Sequence, residues 1–318
     1  MVSAMLTKAQ VVFRRGGIGG SDVSALYDLN PFCSQVDLWV QKTREDLEQA
    51  MTRESTRLRC GSALEPFVKK ELAKGDAATF VAHTDGVTCK EALDLIEQVT
   101  TNGVRFGKGQ EMIASDMWPH MRANTDGVHR KTGGILEIKT VNGLTHRKSW
   151  CDGPPLYIQL QCTLYMAVTG APFALVAALV DMSRIHLYVV ERDEQLIESM
   201  GVRIESWWAT HVEGGVMPET DHSASCENAL RVLYPEPDAL EGVMLSEAGA
   251  AAANELQALR TQEKTIAQRI KGCKNTLTAE LGTAGVGLIE GSELAVYRKK
   301  NKKGAISLSI AKAPQKED

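Results

Sequence analysis

Residues 126–139 read Asp-Gly-Val-His-Arg-Lys-Thr-Gly-Gly-Ile-Leu-Glu-Ile-Lys, and this stretch decides the fold. Residues 124–130 and 135–141 flank Lys131-Thr132-Gly133-Gly134, which predicts a strand, a turn and a second strand. Side chains alternate faces along a strand, so Glu137 and Lys139 project together while Ile138 turns toward the core. Folding about the turn brings Asp126 alongside Glu137. Two carboxylates at that range repel unless a cation lies between them. A hard divalent ion with oxygen ligands suits the pair: Mg²⁺ best, with Mn²⁺ as a substitute. The Ile138 carbonyl offers a further oxygen, and Lys139 would stand beside a water, orienting and deprotonating it for attack on phosphorus. The competing reading is an ordinary amphipathic hairpin with solvated charges, because Glu-x-Lys also arises by chance.

Downstream of the hairpin, Pro154-Pro155 opens a helix reaching about Thr169, and the apolar runs 173–180 and 185–190 predict two more strands. A helix follows over 194–211. Upstream, helices are expected over 35–42, from about Ser62 onward, and over 90–99. The remainder of 82–118 carries no chemistry that can be read. Alternating strands and helices of this kind predict an α/β (α+β type) domain. A boundary at Pro235-Glu236-Pro237 divides residues 1–235 from a 236–318 extension. That extension reads as one long helix over 250–281, with Leu256, Leu259, Ile266, Ile270, Cys273 and Leu277 at three/four spacing, broken by Glu263. A hairpin with Leu294 and Val296 on one strand and Ile306, Leu308 and Ile310 on the other completes it.

Composition narrows the function classes. The formal net charge of −4 excludes a globally basic nucleic-acid binder, so positive charge must be local or concentrated by oligomerisation. Seven cysteines, scattered and without a Cys-x-x-Cys pair, argue against a disulfide framework or a zinc ribbon and fit a reducing cytosol. No apolar run suggests a signal peptide or a membrane span, so the expectation is a soluble, cytoplasmic protein.

Further residues could complete a site around the hairpin. Glu65, early in the helix near Ser62, could reach a metal through water, or could serve only the helix dipole. Gln159, in Tyr157-Ile158-Gln159-Leu160-Gln161, could hold a phosphate oxygen or the attacking water, or be one polar position on an amphipathic helix. Arg14, Arg15 and Ser21 bracket Gly16-Gly17-Ile18-Gly19-Gly20. Backbone N–H groups, a hydroxyl and a guanidinium there form a phosphate cradle, or the turn is a flexible lead-in. No Gly-Lys-Ser/Thr follows, which excludes a nucleoside-triphosphate P-loop. Arg298, Lys299, Lys300, Lys302 and Lys303 at the C-terminal hairpin tip read either as a DNA-backbone contact or as a solvated end.

In this order, the pieces Arg-Arg-Gly-Gly-Ile-Gly-Gly-Ser-Asp-Val-Ser-Ala-Leu, Leu38-Trp39, Gly-Ser-Ala-Leu-Glu-Pro, Met-Arg-Ala-Asn-Thr-Asp-Gly, Leu-Glu-Ile-Lys-Thr and Tyr-Ile-Gln-Leu-Gln resemble the YqaJ-type viral recombinase family. These are relatives of phage lambda exonuclease in the PD-(D/E)XK nuclease superfamily, and the resemblance spans roughly 12–192. It implies a restriction-endonuclease-like core with a central mixed sheet flanked by helices. It also implies that Asp126, Glu137 and the Ile138 carbonyl bind metal, Lys139 activates water, Glu65 and Gln159 assist, and Arg14 and Ser21 hold a 5′-terminal phosphate, with Arg15 less well matched. The activity implied is a Mg²⁺-dependent 5′→3′ exonuclease that degrades one strand of linear duplex DNA to mononucleotides. The 3′ single-stranded tail left behind would load a RecT- or Redβ-type annealing protein. A homotrimeric ring in a phage-infected or prophage-carrying bacterial cell is implied as well. A site-specific endonuclease of the same superfamily, or a DNA-binding accessory protein with a vestigial metal site, are the alternatives.

Overall fold

The computed structural model describes residues 8–47, 56–110, 112–236 and 242–313. The chain divides into two compact units, Met1–Pro237 and Asp238–Asp318. The boundary expected at Pro235-Glu236-Pro237 runs into Pro237, which lies outside the described residues. Among the described residues no helix is long and apolar enough to cross a membrane.

The first unit begins with helix Lys8–Arg15, strand β1 (Ile18–Gly19), helix Gly20–Val23, a 3₁₀ turn Ser24–Tyr27 and helix Gln35–Thr43. Helix Thr56–Lys74 starts six residues before Ser62, the expected position, and carries Pro66 within it. Strand β2 (Phe80–Ala82), helix Lys90–Thr101 and the short strands β3 (Gly107–Lys108), β4 (Ile113–Ala114), β5 (Met121–Ala123) and β6 (Gly127–Val128) follow. Then come β7 (Ile135–Val141), helices Gly143–Ser149 and Leu156–Thr169, β8 (Phe173–Val180), β9 (Arg184–Glu191), helix Glu194–Trp207 continuing as a π-turn Trp208–Glu213, and helix Ala224–Leu233.

A six-stranded mixed sheet runs β2-β9-β8-β7-β6-β3. Strands β7 and β8 are parallel, joined through the Leu156–Thr169 helix, while β8 and β9 are antiparallel. All eight residues of β8 are buried, as a strand covered on both faces requires, and its uninterrupted apolar run follows from that burial. On one face Ile135 and Val141 pack with Ile158, Leu164 and Ile204. On the other, Leu136 and Ile138 meet Val68, Leu72 and Leu95. This is the mixed sheet flanked by helices that the family resemblance implies.

The expected 124–130 strand is shorter than its sequence pattern. Thr125 is drawn off by Gln110: its N–H donates to the Gln110 carbonyl at 2.9 Å, and its hydroxyl accepts the Gln110 N–H at 3.0 Å. Only Gly127 and Val128 then pair with β7. Residues 121–123 join a separate three-stranded sheet, β1-β5-β4. The Gly- and Pro-rich stretch after residue 214 also holds more order than its composition suggests. Helix Ala224–Leu233 lies along Gln35–Thr43, and the Ser225 hydroxyl donates to the buried Asp37 carboxylate and accepts the Ser34 N–H at 3.0 Å.

The second unit has helix Glu247–Leu281 and an antiparallel sheet β10 (Val286–Leu288), β11 (Leu294–Lys300) and β12 (Ile306–Lys312). The expected hairpin is therefore part of a three-stranded sheet.

Candidate active site

The site forms where the sheet loses a strand. β6 pairs with β7 only opposite Ile135 and Leu136, so the edge of β7 beyond Leu136 faces a gap. Asp126 fills it: its Oδ2 accepts the Ile138 N–H at 2.7 Å. The N–H and C=O of one strand residue point to the same edge, so the Ile138 carbonyl opens onto the Asp126 side as well. Glu137 and Lys139, on the opposite face from Ile138, are joined by an ion pair at 2.5 Å.

The helix Leu156–Thr169 covers that pair with a glutamine, but not the expected one. Gln161 Nε2 donates to Glu137 Oε1 at 2.7 Å and to the Tyr165 hydroxyl at 3.1 Å, while its Oε1 accepts from Lys139 Nζ at 3.1 Å. Gln159 instead donates to the Pro154 carbonyl at 2.6 Å, closing the first turn of its own helix. Two residues along a helix is a rotation of about 200°, so the two glutamines cannot share a face.

Glu65 reaches the cluster from the Thr56–Lys74 helix, and its carboxyl feels the Asp126 and Lys139 charges. Burial raises the pKa of Asp126, against the pull of the Ile138 N–H and Lys139. Glu65 is raised too, first by burial and then by Asp126. Glu137, 3% exposed, is pushed up to about 7 by burial, with Asp126 and Glu65 adding to it and Lys139 opposing. Burial pulls Lys139 down, but Glu137 and Asp126 outweigh it and its pKa ends above the ordinary lysine value. In this arrangement Lys139 donates from its Nζ to both Glu137 and Gln161.

Among the described residues no three His, Cys, Asp or Glu side chains converge tightly enough to enclose a metal by themselves. Mg²⁺ does not require that, because it keeps several waters and takes one or two carboxylates. A buried Glu137, raised by that burial and by the half-buried Asp126 and Glu65 carboxyls beside it, together with a free-edge carbonyl forms a hard-oxygen donor set. Asp126, Glu137 and Ile138 thus fit such an ion.

The glycine turn lies against the same helix. A Cβ at Gly20 would fall 2.4 Å from the Tyr165 ring and 2.8 Å from Gln161 Cγ, and one at Gly17 would fall 2.6 Å from the His120 carbonyl. Only glycine allows this approach. In the turn, Arg14 donates to the Ser21 hydroxyl at 3.4 Å, and both residues are exposed. Beneath them Lys42 Nζ binds Asp22 Oδ2 and the Arg14 carbonyl, both at 2.8 Å, and Asp22 also accepts the Gly19 N–H at 3.1 Å. Burial opposes the Asp22 charge, yet Lys42 and Arg14 hold its pKa below the ordinary value. Sequence reading missed this Asp22–Lys42 anchor, whose partners lie twenty residues apart. Arg15 pairs with Glu45 at 3.1 Å.

The basic tip is also rearranged. Arg298, Lys299 and Lys300 lie within β11, so their side chains alternate faces, and the turn proper comprises Asn301–Gly304, with the Asn301 N–H donating to the Ala305 carbonyl. The Arg298 guanidinium donates to the Gly282 carbonyl. Five cations in sequence are therefore not one patch.

Residues 11–172, about half of the chain, match the family model described as the YqaJ-like viral recombinase domain. The chain belongs to this family. The YqaJ-like match takes in Arg14, Ser21, Glu65, Asp126, Glu137, Lys139 and Gln161. An uncharacterized protein YqaJ of Bacillus subtilis (strain 168) is 25% identical over 291 residues, spanning 90% of this chain and 82% of the relative. Among solved structures, an alkaline exonuclease (LHK-Exo) from Laribacter hongkongensis is similar at 18% identity and TM-score 0.44, over 65% of this chain and 94% of that one. The same protein in complex with dAMP gives 20% identity and TM-score 0.45, over 65% and 94% of the two chains.

Proposed function

We propose that this chain is a Mg²⁺-dependent 5′→3′ exonuclease that degrades one strand of linear double-stranded DNA to mononucleotides. One observation carries the reading: the Gly16–Ser21 turn and the acidic cluster share a wall. Gly20 packs on Gln161, and Gln161 bonds both Glu137 and Lys139. An end-phosphate cradle built on the scissile site is what cleavage from a 5′ terminus needs.

Arg14, Ser21 and the turn's N–H groups would grip the terminal phosphate, with the Asp22–Lys42 pair fixing the turn's shape. Asp126, Glu137 and the Ile138 carbonyl would hold a divalent cation, which supplies Lewis acidity to the phosphorus centre. Lys139 donates to a phosphate oxygen or to the attacking water, stabilising negative charge as it develops. Gln161 keeps Glu137 and Lys139 aligned, and Glu65 takes a hydrogen bond from water at the rim. Water adds to phosphorus, the P–O3′ bond breaks with the proton lost by water ending on the O3′ hydroxyl of the released nucleotide, and the shortened strand again bears a 5′-phosphate to re-enter the cradle. Membership of a viral recombinase family supports a role in recombination, in which the 3′ tail passes to a single-strand annealing protein in the bacterial cytoplasm. We include in the proposal a trimeric ring around the DNA, which would concentrate local positive charge in a net-acidic chain.

The deciding experiment uses end-labelled linear duplex, 5′-phosphate against 5′-hydroxyl, with Mg²⁺ and with EDTA. Loss of the 5′-phosphorylated strand only in Mg²⁺, slower with 5′-hydroxyl and absent in Glu137→Ala, is expected. Equal digestion from both ends, or rapid linearisation of a supercoiled plasmid, would overturn the exonuclease reading.

A further inference from the structure

The second unit holds an apolar groove that its own fold leaves open. Ile266, Ile270, Cys273 and Leu277 of helix Glu247–Leu281 form one wall, and Val296, Leu308 and Ile310 of the sheet form the other, around a space of about 400 Å³. Its aliphatic side chains are not satisfied within the unit: Ile266 is 52% exposed, Ile270 49% and Ile310 61%. An uncovered cluster of this kind marks a docking surface more often than a solvated face. The seam extends along the helix through Leu256 and Leu259, each about half exposed. With Glu263 included, its steps are three and four residues throughout, the spacing that engages another helix.

Charge decides the occupant. Arg269 and Lys274 line the groove, and no carboxylate does. Residues 256–313 carry eleven Lys and Arg against four Glu. At the groove itself a second copy would bring Arg269 and Lys274 against the same two cations, with no carboxylate in the lining to offset their repulsion. Nucleic acid would meet the cations, but its phosphates gain nothing from aliphatic walls. An amphipathic helix with apolar anchors at three/four spacing and acidic flanks satisfies both the walls and the rim.

We propose that this groove is the docking site for an acidic amphipathic helix supplied by a partner polypeptide. The inference does not rest on the nuclease reading. It concerns a different unit, and the tests read binding, with DNA digestion measured in parallel.

The probe is a designed peptide of about 18 residues, with leucines at three/four spacing and glutamates on the flanks. A counterpart carries lysines in place of the glutamates. Fluorescence anisotropy with the full chain should give micromolar binding of the acidic peptide and at least roughly tenfold weaker binding of the basic one. Ile270→Glu should weaken the acidic peptide by roughly tenfold or more. Because Ile270 is half exposed, circular dichroism should stay unchanged. Reversing the rim with Arg269→Glu and Lys274→Glu should invert the preference between peptides, a result that misfolding cannot produce. The proposal is overturned if both peptides bind alike, or if duplex DNA displaces the acidic peptide from the groove. It is also overturned if the chain self-associates in sedimentation and Ile270→Glu returns it to a smaller species, which would assign the groove to a second copy.

Discussion

Glu137→Gln removes the charge that burial opposes most strongly, and it should make the protein more stable while stopping its chemistry. The carboxyl rises from an ordinary 4.5 to about 7. At about 1.4 kcal/mol per pH unit, that difference means the fold holds the ionised side chain at a cost of about 3 kcal/mol. The attraction to Lys139 is already contained in that figure. A raised carboxyl favours the protonated fold, so its stabilising contribution is complete below pH 4.5 and is lost as pH rises through about 7. Glutamine keeps the shape and an acceptor oxygen for the Gln161 amide without the charge. In EDTA the variant should therefore melt higher than the parent at pH 8.5, by about 6–12 °C for the full 3 kcal/mol. The gap should close toward pH 4.5. Added Mg²⁺ should raise the parent's melting temperature more than the variant's, because only the parent presents both carboxylates. Calorimetry or fluorescence melts across pH 5–8.5 measure this directly. A variant that melts at or below the parent at pH 8.5 in EDTA would refute the reasoning, since burial would then not be opposing the charge.

Gln161→Ala should slow duplex digestion by about ten- to a hundredfold, as loss of a group that orients the reacting ones typically does. Gln159→Ala, which loses only a bond to the Pro154 carbonyl, should leave the rate nearly unchanged. Gly20→Ala forces a methyl into the Tyr165 ring, and the overpacking should cost about 1–3 kcal/mol in a denaturant melt. Lys42→Met leaves the Asp22 carboxylate buried without its cation and should cost about 3–5 kcal/mol, of which adding Asp22→Asn should restore a large part. A double variant no more stable than Lys42→Met would show that the pair is not coupled.

The sequence carried the fold best where burial is two-sided. The unbroken apolar run 173–180 became β8 with those limits. The two-residue period also placed Glu137 and Lys139 on one face, where they meet at 2.5 Å. It failed where a short segment had a choice of partners. Nothing in Asn124-Thr125-Asp126 reveals that Gln110 will take up Thr125, or that 121–123 will join another sheet. The glutamine assignment had a usable signal. Ile158, Cys162 and Tyr165 mark the inward stripe of the Leu156–Thr169 helix, Gln161 lies on it and Gln159 does not. The Asp22–Lys42 anchor had no comparable signal, because two isolated charges twenty residues apart are unremarkable until packing joins them.

The place where β6 stops has a genetic consequence. Asp126 takes the hydrogen bond that a neighbouring strand would have made, and the Ile138 N–H and C=O open on that edge. Part of the site is therefore written in main-chain atoms, which side-chain substitution leaves in place. An alanine scan would report Ile138 as a residue of packing alone. Replacing its amide by an ester, or its position by proline, would expose a contribution that ordinary mutagenesis cannot see, and sequence drift at this position leaves that contribution intact as long as the strand survives.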